Sequence, residues 1–193
     1  MRIYKIASPL PLEAIPVEHG EDLIDNVLTK EMIAELDAKY RLKEHLGGGM
    51  WGVAFLTHDD KVLKLTTDSL EIQAAEEIQN VPYGPFAKIY EIGTISNEKT
   101  GGEVNYILKE RVTPISGKLL EIFDDMAWGR GTSMQADVEA LRISNPAEVE
   151  KIEDYFGDVE QYSLDDTIRS DNVGLDSNGN IVSFDARINR GMR

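Results

Sequence analysis

The chain has 193 residues and 41% hydrophobic content, enough for one large domain or two small lobes around a packed core, which excludes a disordered protein. Its formal charge of -15 argues against binding nucleic-acid phosphates, which takes clustered Lys and Arg, and leaves two readings of the acidity: a solvated surface, or one that imitates nucleic acid toward a basic partner. There are no cysteines, and His19, His45 and His58 are too scattered for a zinc set, so any metal is expected to be held by oxygen.

Taken in chain order, residues 1 to 20 contain Pro9, Pro11 and Pro16, which prevent a continuous helix and predict an extended arm. They also interrupt the apolar stretch that a secretory signal needs, and no later run is long enough for a membrane span. The expectation is a soluble, cytoplasmic protein with no membrane partner. "TKEMIAELDAKY" spaces Met32, Ile33, Leu36 and Tyr40 at helical intervals and predicts one amphipathic helix. "YRLKEHL" then alternates Tyr40, Leu42, Glu44 and Leu46 on one face, and "VAFLTH" and "KVLKLT" are short apolar runs around the turn "DD". Three antiparallel strands in a row are expected.

The first two of these strands are joined by "GGGMWG", in which Gly47, Gly49 and Gly52 fit G-x-G-x-x-G. A dinucleotide fingerprint would open a helix at the last glycine, but here the chain continues as strand, turn and strand, so that reading fails. Lys64 follows inside the apolar "VLKLT", and "TTDSLEIQAAEEIQN" predicts a helix capped by Asp68 or Ser69, with Glu71, Glu76 and Glu77 along it. "PFAKIYEIGTI" and "VNYILKERV" are two further strands, separated by the loop composition "SNEKTGGE". By elimination, "SGKLLEIFDDMAWG" and "ADVEALRI" or "PAEVEKIEDYF" can form two or three helices, and "SDNVGLDSNGNIVSFDA" reads as strand, tight turn and strand with Asn172 at one end and Asp185 at the other. The acidic stretch over residues 145 to 171 reads as a mostly solvated helix face, part of it open to a basic partner.

The order of glycine hairpin, lysine strand, acidic helix, two strands and "LKERVTP" resembles the N-lobe and hinge of the protein kinase fold, and is similar above all to the small Ser/Thr kinase-like proteins of bacteriophages. The resemblance covers residues 40 to 112 and 164 to 187. It implies an α+β, protein-kinase-like fold: an N-terminal arm and helix (1–40), an N-lobe with a five-stranded antiparallel sheet and one helix plus hinge (41–112), and a truncated, mainly helical C-lobe with a metal-site hairpin (113–193). It also implies ATP and Mg²⁺ as cofactors. Gly47, Gly49 and Gly52 would cover the phosphates and Lys64 would hold them, oriented by Glu71, with Glu76 or Glu77 as alternatives. Ala54 would lie above the adenine and Leu108 at the back of its pocket, with the backbone from Glu110 to Val112 at the adenine edge. Asn172 and Asp185 would hold the metal.

Two departures follow from the same comparison. The position of the catalytic Asp in H-R-D-x-x-x-x-N falls on Thr167, with Arg169 where kinases keep a Lys, so either a one-residue bulge brings Asp166 into place or the base is missing. The D-F-G triplet reads Asp185-Ala186-Arg187, and the sequence continues only to Arg193, without an A-P-E segment. The expectation is phosphotransfer to Ser or Thr of the protein itself or of a host protein, within the host cytoplasm if the protein is viral. The alternative is a pseudokinase or acidic mimic that inhibits a host protein by binding it.

Overall fold

The computed structural model describes residues 27–49, 51–81, 84–96, 101–128, 135–162 and 164–188. The arm expected over residues 1 to 20, Met50 of the glycine hairpin and residues 97–100 of the loop "SNEKTGGE" lie outside them. Two compact units emerge, residues 1–69 with 90–109 and residues 70–89 with 110–193. This grouping is interleaved, unlike the continuous 41–112 segment of the sequence reading.

The first unit is built on a five-stranded antiparallel sheet in the order β1-β2-β3-β5-β4. Its strands are β1 (Leu42–Gly49), β2 (Gly52–Thr57), β3 (Lys61–Thr66), β4 (Ile89–Ser96) and β5 (Glu103–Glu110). One face is covered by α1 (Lys30–Tyr40), whose Met32, Ile33, Leu36 and Tyr40 join Phe55, Leu63, Leu65, Val104 and Tyr106 in one core. Thr29 caps the helix by accepting from the Met32 amide, and Arg41 ends it in a left-handed conformation.

The alternation expected from Tyr40 to Leu46 is not observed. Tyr40 closes α1, and register shifts between Leu42 and Glu44 and between His45 and Gly47 interrupt the pairing of β1 with β2. Each irregularity changes the face to which the following side chains point, and Leu46 is left 46% exposed.

The second unit holds α2 (Ser69–Gln79), α3 (Gly117–Trp128), α4 (Gln135–Ser144) and α5 (Pro146–Glu160). Of the two or three helices expected after residue 113, three form, so both "ADVEALRI" and "PAEVEKIEDYF" are helical. Their core joins Ile122 and Phe123 of α3 to Val149, Ile152, Tyr155 and Phe156 of α5, with Val173 and Ile181 below. Short strands complete the unit: β6 (Thr113–Pro114), β7 (Leu164–Asp165), β8 (Val173–Leu175), β9 (Ile181–Ser183) and β10 (Arg187–Ile188). β6, β8 and β9 make one antiparallel ladder, and β7 and β10 make another. Among the described residues no helix is long and apolar enough to cross a membrane.

Candidate functional site

In the first unit the glycine hairpin is tighter than a loop. Pairing of β1 with β2 continues to Gly49 opposite Gly52, so the glycines are part of the ladder. Gly47 follows a register shift with φ +152°, a backbone state that side chains disfavour, and a Cβ on Gly52 would strike the Leu65 carbonyl. The tip is tied down through the Trp51 carbonyl, which accepts from the Thr67 amide at 2.8 Å and from the hydroxyls of Thr66 and Thr67.

Lys64 lies on the central strand, β3, directly opposite Ala54, so the two share a face. Their chain neighbours Val53, Phe55, Leu63 and Leu65 fill the core beneath α1, which puts Lys64 and Ala54 on the other face. Leu108 is not brought together with them. It belongs to the α1-side core with Val104 and Tyr106, and the period of two along β5 gives the face of Lys64 to the buried Ile107.

In the second unit, Glu71 sits in the first turn of α2 and is only 5% exposed, whereas Glu76 and Glu77 are exposed. Glu110 uses its amide on the Lys88 carbonyl at 2.8 Å, and its carboxylate accepts from the Lys88 amide and the Ser177 hydroxyl. Its N–H is thus committed to the backbone, and Val112, half-buried, remains from the expected adenine-edge segment.

Two ladders bring the remaining candidates together. Val173 pairs with Ser183, so Asn172 and Phe184 leave β8 and β9 at the same end, and the Phe184 amide donates to the Asn172 carbonyl at 2.9 Å. Asp165 pairs with Arg187, so Asp166 and Ala186 leave β7 and β10 side by side. The segments 166–172 and 184–186 are therefore each held at both ends, with Asp166, Asn172 and Asp185 between. Ser183 adds a tie, its hydroxyl donating to the carbonyls of Asn172 and Asp185.

The geometry at the disputed position is specific. Asp166 has φ +65°, and its carbonyl accepts from the Asn172 side-chain nitrogen at 3.2 Å. Thr167 is 4% exposed, with its carbonyl accepting from the buried Tyr155 hydroxyl of α5. At this left-handed step Thr167 is turned inward, while the Asp166 carboxylate stays partly exposed, 3.8 Å from Arg169. Arg169 also grips Asp171 through two hydrogen bonds, of 3.0 and 2.6 Å. That pairing holds the Asp171 carboxyl below the usual carboxylate range. The Arg169 guanidinium is held charged first by Asp171, and more weakly by Asp166 and Asp185.

The donor set can be tested against a metal. With the Asn172 nitrogen donating to the Asp166 carbonyl, its amide oxygen is the atom left to coordinate, and Asp185 would supply a carboxylate oxygen. Two such oxygens fit Mg²⁺ that brings phosphate and water for its other positions. Among the described residues no group of three or more His, Cys, Asp or Glu could hold a metal by itself.

Tyr155 and Ser183 escaped the sequence reading, since a Tyr at a helical core position and a Ser at a strand end carry no signal of what their hydroxyls bind. Comparison with protein-family models and with curated proteins finds no match to this sequence.

Proposed function

We propose that the chain is a minimal protein-kinase-like protein that binds ATP with Mg²⁺ and transfers phosphate to Ser or Thr of itself or of a host protein. The observation that carries the reading is the convergence of Asp166, Asn172 and Asp185 at the ends of two short ladders. Asn172 and Asp185 are the metal ligands, and bound Mg²⁺ would neutralise charge on the phosphates. Asp166 accepts the proton of the attacking hydroxyl, and its exposure beside a buried Thr167 supports the bulged register over a missing base. Lys64 is the phosphate cation, Glu71 orients it, and Gly47, Gly49 and Gly52 let backbone approach the phosphates. Ala54 and Val112 border the adenine.

A second reading, a pseudokinase that acts by binding a host protein, is favoured by Arg187 where D-F-G has its glycine and by the charge of -15. One experiment separates them. ATP binding is measured by calorimetry with and without Mg²⁺, beside transfer of labelled γ-phosphate in bacterial lysate. Mg²⁺-dependent binding with transfer that Asp166→Asn abolishes supports the kinase; binding without transfer supports the pseudokinase. Absence of ATP binding from the intact protein would sink the kinase reading, and absence of a salt-sensitive partner in a pull-down from bacterial lysate would count against the pseudokinase.

A further inference from the structure

We infer that a cleft within the second unit is a docking site for an extended protein segment that carries Lys or Arg beside apolar side chains. The cleft has a volume of about 760 Å³ and is walled by α5, by the segment leading into β4 and by the β8–β9 turn. Its floor is apolar, with Phe86, Ala87, Ile181 and Val182 all buried along it. The backbone beneath is already paired: the Ser183 amide donates to the Pro85 carbonyl, and the Ala87 amide to the Ser183 carbonyl, both at 2.8 Å. An occupant would therefore be recognised through its side chains.

The charged groups of the wall set the sign of that occupant. Glu110, Asp154, Asp158 and Asp176 line the cleft together with Lys88 and Lys151. Glu110 and Asp176 are engaged locally, the first by Lys88 and Ser177 and the second by its own turn. Lys151 donates to the Gly179 carbonyl at 3.4 Å. Asp154 and Asp158 stand four positions apart on α5, both exposed, and neither makes an ion pair among the described residues. Two available carboxylates above an apolar floor complement a cation attached to an apolar chain. Nucleic acid would be repelled, and a small free cation would gain nothing from the floor.

The inference does not depend on nucleotide binding, so its test is run without ATP. A fluorescent peptide alternating Arg and Leu is titrated into the full chain and followed by anisotropy. Two control peptides replace Arg by Glu or Leu by Ser. Saturable binding is expected for the Arg-Leu peptide alone, weakened about tenfold or more by Asp154→Lys with Asp158→Lys, and weakened again in high salt as the attraction is screened. Equal binding to the double variant, equal binding of the Ser peptide, or no binding of the Arg-Leu peptide would each overturn the proposal.

Discussion

The hydroxyl of Tyr155 is buried beneath the loop that carries Asp166 and donates to the carbonyl of Thr167. Removing it in Tyr155→Phe leaves that carbonyl buried without this donor, a loss of about 1–3 kcal/mol. Urea denaturation should show a lower midpoint with an unchanged slope. Burial also raises the phenol above its ordinary range. The unfolded chain then gives up this proton first, so the contribution is complete below roughly pH 10 and fades as the pH rises beyond it. Tyr155→Phe should be insensitive to that alkaline loss. The site residues make a different prediction. Asn172→Ala and Asp185→Ala should lose Mg²⁺-dependent ATP binding, whereas Asp166→Asn should keep it and lose phosphotransfer by about 10²–10⁴-fold, as removal of a general base does. Calorimetry and labelled-phosphate transfer on the same preparations separate the two classes.

Between elements, α1 is held to its sheet in two ways of unequal strength. Lys39 reaches Glu91 at 2.7 Å and the Tyr106 hydroxyl at 3.1 Å, and Glu91 is held below the usual carboxylate range by that lysine. Both partners of this pair remain substantially solvated, so Lys39→Ala should cost about 0–1 kcal/mol. Leu36→Ala, in the core beneath, should cost about 2–5 kcal/mol. Equal losses in thermal melts of the two variants would contradict this ranking. The same contrast explains what the sequence disclosed. Met32, Ile33, Leu36 and Tyr40 repeat at helical spacing because the core selects them, and the Val/Leu-rich runs of β2 and β3 are legible for the same reason. The turn between β8 and β9 was legible too, since Asp176 accepts from the amides of Asn178 and Asn180 and Gly179 takes φ +81°. In contrast, β6, β7 and β10 are two residues long, too short for any period to show. The face of Leu108 and the conformation of Asp166 depend on pairings with distant segments, so no local pattern could give them.

At the scale of the whole molecule, the interleaved units share one strongly acidic chain, and acidity acts on stability in two opposed ways. Self-repulsion at a formal charge of -15 weakens the folded state at pH 7 in low salt, and protonating ordinary carboxylates toward the isoelectric point near 4.6 relieves it. The opposing effect comes from carboxylates whose folded form resists protonation. Asp171 is held low by Arg169, and Glu91 by Lys39. For Asp176, burial alone would raise the carboxyl, but the side-chain amide of Asn180 and the backbone amides of Asn180 and Asn178 outweigh it. A carboxyl lowered on folding contributes stability that is complete above its unfolded value, roughly pH 4, and that disappears as the pH falls through the folded value. The relief acts first as the pH is lowered from 7, and the loss acts only below about pH 4. Melting temperature in low salt should therefore rise between pH 7 and about pH 5 and fall steeply below pH 4. Salt discriminates between the two causes, because long-range repulsion is screened while hydrogen-bonded contacts persist. At about 0.5 M NaCl the rise between pH 7 and pH 5 should flatten, since the Debye length shrinks to a few ångströms, and the acid limb should remain. A rise that survives high salt unchanged would show that self-repulsion is not what limits the fold at neutral pH.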